Sequence, residues 1–189
     1  DSCNFRCLYC MPDEPFSCSS IAELMSAEEI FNISKVFVEK FGIKKIRITG
    51  GEPLVRQDFK QIIELLSQLN VQIAITTNGV LLDRYFSLLE EKNIRDINIS
   101  IDSLNRQKFK LLTKRDFLPK VWENILTGIS KGFNIKLNAV IIDGMNTDDI
   151  LPLAELSHRY PIEMRFIEFM PFNGNSWERN KVFPIRKML

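Results

Sequence analysis

Three cysteines, Cys3, Cys7 and Cys10, stand within the first ten residues as CxxxCxxC, in the stretch Cys-Asn-Phe-Arg-Cys-Leu-Tyr-Cys-Met-Pro (3–12). Three thiolates on one short loop can converge on a single metal centre, and their softness favours zinc or iron–sulfur. Structural zinc sites are closed by four ligands, and the loop holds three. The remaining cysteine, Cys18, follows eight residues on in a serine-rich stretch. A cubane cluster held by three cysteines leaves one iron open to a small molecule. A disulfide framework suits short secreted chains, and this chain has apolar residues enough for an ordinary core. A zinc module using Cys3, Cys7, Cys10 and Cys18 stays open as a non-catalytic alternative.

The elements that must position this loop follow in order. Ser26 with Glu29 three residues on forms a capping box for a helix, and Ile30, Ile33, Phe37 and Phe41 fall on one face before Gly42 ends it. A strand over 44–49 runs into Gly50-Gly51-Glu52-Pro53, and Asp58 can cap a second helix bearing Ile62, Ile63, Leu66 and Leu69. Strands are predicted over 72–76, 96–102, 135–140 and 162–169, with helices near 84–92, 106–113, 120–131 and 148–159 between them. Strand and helix alternate five times, which implies parallel strands with crossover helices, in a barrel or an open sheet. In a barrel, function gathers at the C-terminal strand ends. There stand Gly50-Gly51-Glu52, Thr76-Thr77-Asn78, Ser100, Asp102 and Glu168 to Met170.

The strands alternate in character. One face is apolar, from Ile46 and Ile48 through Ile97, Ile99 and Ile101 to Leu137. The other carries Lys45, Arg47, Thr76, Asn98, Ser100, Lys136, Asn138 and Arg165. A βα repeat covers both faces of its sheet, so a cationic face suits the lining of a cavity. Unpaired buried charge is costly, and four cations there would be answered by an anionic, phosphorylated guest. Pairing with Glu163 or Glu168, or reach to solvent, is the plainer alternative.

The length of 189 residues fits one domain, 1–189, and 45% hydrophobic with 26% charged residues matches a globular chain. A net charge of +1 gives no reason to expect nucleic acid, and the apolar runs are too short for a membrane span. Metal-type cysteines point to a reducing compartment, the cytoplasm. His158, the single histidine, reads as a surface residue, and Asp148-Asp149 as helix-start chemistry.

The cysteine spacing with Tyr9 before the third cysteine resembles the cluster loop of radical S-adenosylmethionine (SAM) enzymes. Gly-Gly-Glu-Pro (50–53) resembles their element for the methionyl amino group. More narrowly, the chain is similar to the GTP 3′,8-cyclase family, which opens molybdenum cofactor biosynthesis. Lys-Ile-Arg-Ile-Thr-Gly-Gly-Glu-Pro-Leu (45–54), Thr-Thr-Asn-Gly (76–79), Ile-Asn-Ile-Ser-Ile-Asp-Ser-Leu (97–104), Lys-Leu-Asn (136–138) and Met-Arg-Phe-Ile-Glu-Phe-Met-Pro (164–171) carry that likeness.

The resemblance implies an α/β fold, a partial (β/α)6-type TIM barrel with its first strand truncated. It implies a 4Fe–4S cluster on Cys3, Cys7 and Cys10, and SAM contacts from Tyr9, Gly51, Ser100 and Met170, with Glu52 supporting the amino end. GTP would meet Arg47, Thr76 and Lys136, with Lys45 and Arg165 as further candidates. The implied chemistry is reductive cleavage of SAM to a 5′-deoxyadenosyl radical that takes the 3′-hydrogen of GTP. The resulting carbon radical attacks carbon 8 of guanine. An electron donor such as flavodoxin or ferredoxin is implied, with a homodimer as one option. The family's second cluster uses three further cysteines, and none follows Cys18. The chain therefore reads as a fragment, incomplete at both ends. A radical SAM enzyme acting on a peptide or another small substrate is the alternative within enzymes.

Overall fold

The computed structural model describes residues 2–10, 23–171, 175 and 177–188. Cys18 and its serine-rich stretch lie outside the described residues, as does most of the loop after Pro171. Five strands form one parallel sheet in the order β1-β2-β3-β4-β5. These are β1 Lys45–Ile48, β2 Gln72–Thr77, β3 Asp96–Ser100, β4 Asn134–Ile141 and β5 Glu163–Glu168. The helices are α1 Ala27–Phe41, α2 Phe59–Leu66, α3 Phe86–Glu91, α4 Arg106–Thr113, α5 Leu118–Ser130, α6 Ile150–Ala154 and α7 Leu156–Arg159. The sheet is an open partial barrel, since its outer strands β1 and β5 are not paired to each other.

Local signals explain most of these elements. Ser26 accepts from the Glu29 N–H while Glu29 reaches back to the Ser26 N–H, so the capping box forms and Gly42 closes α1 at φ 66°. The apolar strand face packs as the alternation predicts: Ile75, Ile97, Ile99, Ile101, Leu137 and Ala139 are fully buried against the helices. At the end of β2 the chain must turn at φ 82° on Gly79, where a Cβ would sit 2.9 Å from Ile99 Cγ2. Glycine alone fits there.

Three local expectations are corrected. Asp58 makes no cap bond to α2, because its carboxylate is taken by Arg56, at 2.5 Å from Nε. Leu69 lies beyond the end of α2, and the predicted 148–159 helix is broken into a 3-10 turn, α6 and α7. The apolar face of α1 is only partly covered: Ala27 is buried, whereas Ile33 and Phe37 are half-exposed and Phe41 is 71% exposed.

Candidate functional site

The cysteine loop is pinned across the C-terminal edge of the sheet from four places. Its backbone N–H groups at Arg6 and Leu8 donate to the Thr113 and Leu112 carbonyls, at 3.0 and 2.9 Å. Those carbonyls end α4 and have no partner within the helix. Phe5 is buried, edge-on to Phe109 at 5.8 Å and stacked on Phe117 at 6.1 Å. The Arg115 Nε donates to the Asn4 carbonyl at 3.0 Å, and Asn78 Nδ2 donates to Asn4 Oδ1 at 2.6 Å. The Glu52 N–H donates to the Ser2 carbonyl at 2.8 Å.

Glu52 is itself buried, 3% exposed, and braces the turn after β2. Its carboxylate accepts from the Thr77 hydroxyl at 2.7 Å, the Asn78 N–H at 2.6 Å and the Leu54 N–H at 3.0 Å. Burial still pushes its pKa above the usual carboxylate range. Gly50, at φ 153°, occupies backbone that side chains rarely adopt, and Gly51 follows it exposed at the surface. The predicted trio of Gly51, Glu52 and the cysteines thus meets at one edge.

Asp102, just past β3, ties the far end of the loop. Its Oδ2 accepts from the Tyr9 hydroxyl at 2.7 Å and its Oδ1 from the Val140 N–H at 2.9 Å. Burial pushes its pKa up to about 6, with those two donors pulling the other way. Asn146 donates to the Asp102 and Val140 carbonyls at 2.8 and 3.0 Å, and Asn175 bridges the Tyr9 and Met170 carbonyls at 3.1 and 2.9 Å. Sequence reasoning marked Asp102 only as a strand-end residue. Its position two after Ser100, on the same face of the chain, was the available signal.

Cys3 and Cys7 are half-buried, Cys10 is exposed, and none is in a disulfide. Burial raises all three thiol pKa values above the ordinary cysteine range. Without a cation the loop therefore holds thiols, and a bound metal charge would reverse that. Two donors already point at sulfur: the Phe5 N–H at 3.4 Å and Asn78 Nδ2 at 4.0 Å from Cys3 Sγ. Hydrogen bonds of this kind accompany iron–sulfur ligation. Among the described residues no three His, Cys, Asp or Glu side chains stand together as ligands of one ion. Three soft donors on a pinned loop fit a cluster, which spreads its thiolates over several irons.

The remaining predicted residues lie on the polar sheet face. Thr76, Asn98, Lys136 and Glu163 form one cross-strand row, and Ser100, Asn138 and Arg165 the next row toward the C-terminal edge. Thr76 and Lys136, two strands apart, are roughly 10 Å from each other. Thr76 accepts from Asn98 Nδ2 at 3.3 Å. Contrary to four unpaired cations, Glu163 takes both Lys136 at 2.6 Å and Arg165 at 2.5 Å. Lys45 sits at the start of β1 and pairs with Asp96 at 2.8 Å. Arg47 is exposed and has no ion pair among the described residues. Met170 is 62% exposed. Two clefts of 370 and 420 Å³ open at the other end of the sheet, sharing Asp96 and Asn134, far from the cysteines. Asp96 is saturated there by Lys45, Gln72 and Asn134.

A parallel α/β sheet with a CxxxCxxC loop across its C-terminal edge defines a recognisable class. The Radical SAM superfamily model matches residues 1–157, and the chain belongs to that superfamily. Its members work with SAM and an iron–sulfur cluster. The chain is 42% identical over 192 residues to "GTP 3′,8-cyclase, mitochondrial" of Arabidopsis thaliana, covering all of this chain and 49% of that protein. It is 41% identical over 192 residues to human "Molybdenum cofactor biosynthesis protein 1", again over the whole chain but 30% of the relative. The chain thus spans half or less of these two proteins. Among solved structures, Streptococcus suis SuiB bound to SAM matches 98% of this chain and 43% of its own, at TM-score 0.79 and 16% identity. That likeness is one of fold. Among the described residues no helix is long and apolar enough to cross a membrane.

Proposed function

We propose that this chain is the SAM-cleaving core of a GTP 3′,8-cyclase, with Cys3, Cys7 and Cys10 holding a 4Fe–4S cluster. The observation that carries the reading is one juxtaposition. The pinned cysteine loop crosses the C-terminal edge of a sheet whose polar face bears Arg47, Lys136 and Arg165, in a chain 42% identical to a protein named as that cyclase. When bound, the cluster on Cys3, Cys7 and Cys10 would supply the one electron needed for reductive cleavage of SAM.

The chain's own residues bind, orient and shield. Tyr9, held by Asp102, fixes the wall of the loop beside SAM. Gly50 and Gly51 would let backbone approach its methionyl end, Glu52 braces the neighbouring turn after β2, and Ser100 and Met170 would contact SAM. Arg47, Thr76 and Lys136 would bind GTP, with Arg165 and Lys45 as further candidates. Glu163 is the exchangeable partner, because a triphosphate offers Lys136 and Arg165 more negative charge than one carboxylate does. Holding ribose and radical together is the main protein contribution. The product would be (8S)-3′,8-cyclo-7,8-dihydroguanosine 5′-triphosphate. The reading includes a single domain over 1–189, a cytoplasmic setting, a flavodoxin or ferredoxin donor and a homodimer. Peptide modification has only fold-level likeness behind it.

The test is anaerobic reconstitution of the full-length protein with iron and sulfide, then reduction with SAM, with and without GTP. Formation of 5′-deoxyadenosine and an isomeric cyclised nucleotide, read by mass spectrometry, is the expected result. If 5′-deoxyadenosine forms while GTP is untouched, the substrate is wrong. Zinc in place of a cluster sinks the reading at its first step.

A further inference from the structure

The outer surface beside the cysteine loop has a composition that neither SAM nor GTP binding explains. Residues 106–120 carry six cations, Arg106, Lys108, Lys110, Lys114, Arg115 and Lys120, against the single acid Asp116. Three of the six are answered: Arg106 by Asp116, Lys108 by Asp148 and Asp149, and Lys120 by Asp83 and Glu123. Lys110, Lys114 and Arg115, with Arg6 of the loop, form no ion pair among the described residues. Lys110 and Lys114 are four apart along α4 and its cap, a like-charge spacing that helices disfavour. The helix C-terminus offsets one such cation, not four. Between them Leu111 and Phe117 leave apolar surface exposed, at 52% and 38%.

This patch is coupled to the cysteine loop by direct contact. Arg6 and Leu8 hang from the end of α4, Arg115 holds the Asn4 carbonyl, and Phe117 stacks on Phe5. A protein seated there rests against the outer side of the backbone that joins Cys3 to Cys10. We infer that the face of Arg6, Lys110, Lys114 and Arg115 around Leu111 and Phe117 docks an acidic one-electron carrier protein of the flavodoxin or ferredoxin class. The inference rests on the SAM-cleaving reading, which needs one electron from outside. The carrier is oxidised by one electron, the cluster is reduced by one, and no bond or proton is exchanged. A basic patch that includes exposed apolar side chains suits the brief, modest-sized encounters of electron transfer, where charge sets the association rate.

The test uses the full-length protein with its cluster assembled, a fluorescently labelled acidic flavodoxin, and two double variants of equal charge change. These are Lys110→Glu/Lys114→Glu at the patch and Lys40→Glu/Lys44→Glu at the far end of the sheet. Flavodoxin affinity and the rate of cluster bleaching by reduced flavodoxin should fall about tenfold or more in the first variant and stay within about twofold in the second. Bleaching by photoreduced deazaflavin, a small reductant, should be equal in all three proteins. With the wild type, raising salt from about 0.1 to 1 M should slow only the flavodoxin reaction.

Unchanged flavodoxin rates at the patch, or an equal loss in the remote variant, overturn the proposal. So does a slowdown shared with the small reductant, which would mean a disturbed loop. A single-stranded RNA that displaces flavodoxin at lower concentration would make nucleic acid the occupant. A dimer that the patch variant dissociates would make it a second copy of the chain. A protein that assembles no cluster fails the SAM-cleaving reading, while flavodoxin anisotropy still decides the surface.

Discussion

At the C-terminal edge of the sheet Glu52, Asn78, Asp102 and Asn146 are buried with protein partners, whereas on the open face Lys136 and Arg165 share Glu163 at the surface. Among the described residues no buried side-chain nitrogen or oxygen lacks a hydrogen bond. The two regions treat polarity oppositely because water competes in only one of them. A buried partner cannot be exchanged without leaving a group unsatisfied, so the edge is built once and stays. A surface ion pair is worth little, so the open face can trade Glu163 for an anionic ligand at small cost. Under the proposed function, rigidity would suit a loop that holds a cluster in register, and exchangeability would suit a substrate that comes and goes.

The sharpest way to break this comparison is at Phe5, which joins the loop to α4 and the start of α5. Phe5→Ala should cost about 3–4 kcal/mol of stability, as aromatic truncations in packed sites do, measured by urea unfolding of the full-length protein. A loss under 1 kcal/mol would mean the loop is not pinned by packing. Glu52→Gln comes next, at about 2–3 kcal/mol, because its amide NH2 must face the Thr77 hydroxyl or the Asn78 N–H, two donors that need an acceptor. If it matched the wild type, the carboxylate would not be the brace.

Asp102→Ala strands two donors and should cost about 2 kcal/mol, while Tyr9→Phe removes one hydroxyl and should cost about 1 kcal/mol. In the double variant the two losses should add to less than their sum, since they share one bond. Full additivity would deny the Tyr9–Asp102 contact. On the open face Glu163→Gln should leave the unfolding midpoint where it was. It should lower KM for GTP a few-fold by freeing Lys136 and Arg165. A destabilised Glu163→Gln protein would erase the distinction between the two regions.

Much of the edge was legible only in part. The CxxxCxxC spacing and Gly50-Gly51-Glu52 identify where chemistry gathers, and the strand alternation separates the apolar face from the polar one. Who holds whom was not legible. Tyr9 and Asp102 are 93 residues apart in the chain, and Asn4 meets Asn78 and Arg115 from two distant stretches of the chain. On the polar face, the sequence showed four cations but not that Asp96 and Glu163 would claim three of them. Glu163 and Asp96 lie on the cations' own face by alternation, so the acids could have been counted against them.

Local rules settled what one element can decide alone. Ser26 and Glu29 start α1, Gly42 and Gly132 turn the chain, and the period of two along β3 and just past its end buries Ile97, Ile99 and Ile101. Tertiary structure decided the rest, because partners are chosen by distance in space rather than along the chain. Tyr9 found Asp102 beyond its own loop, and Ile33, Phe37 and Phe41 share a face that nothing among the described residues fully covers. Periodicity names the apolar side of a helix, but only the packed neighbours determine whether that side is buried.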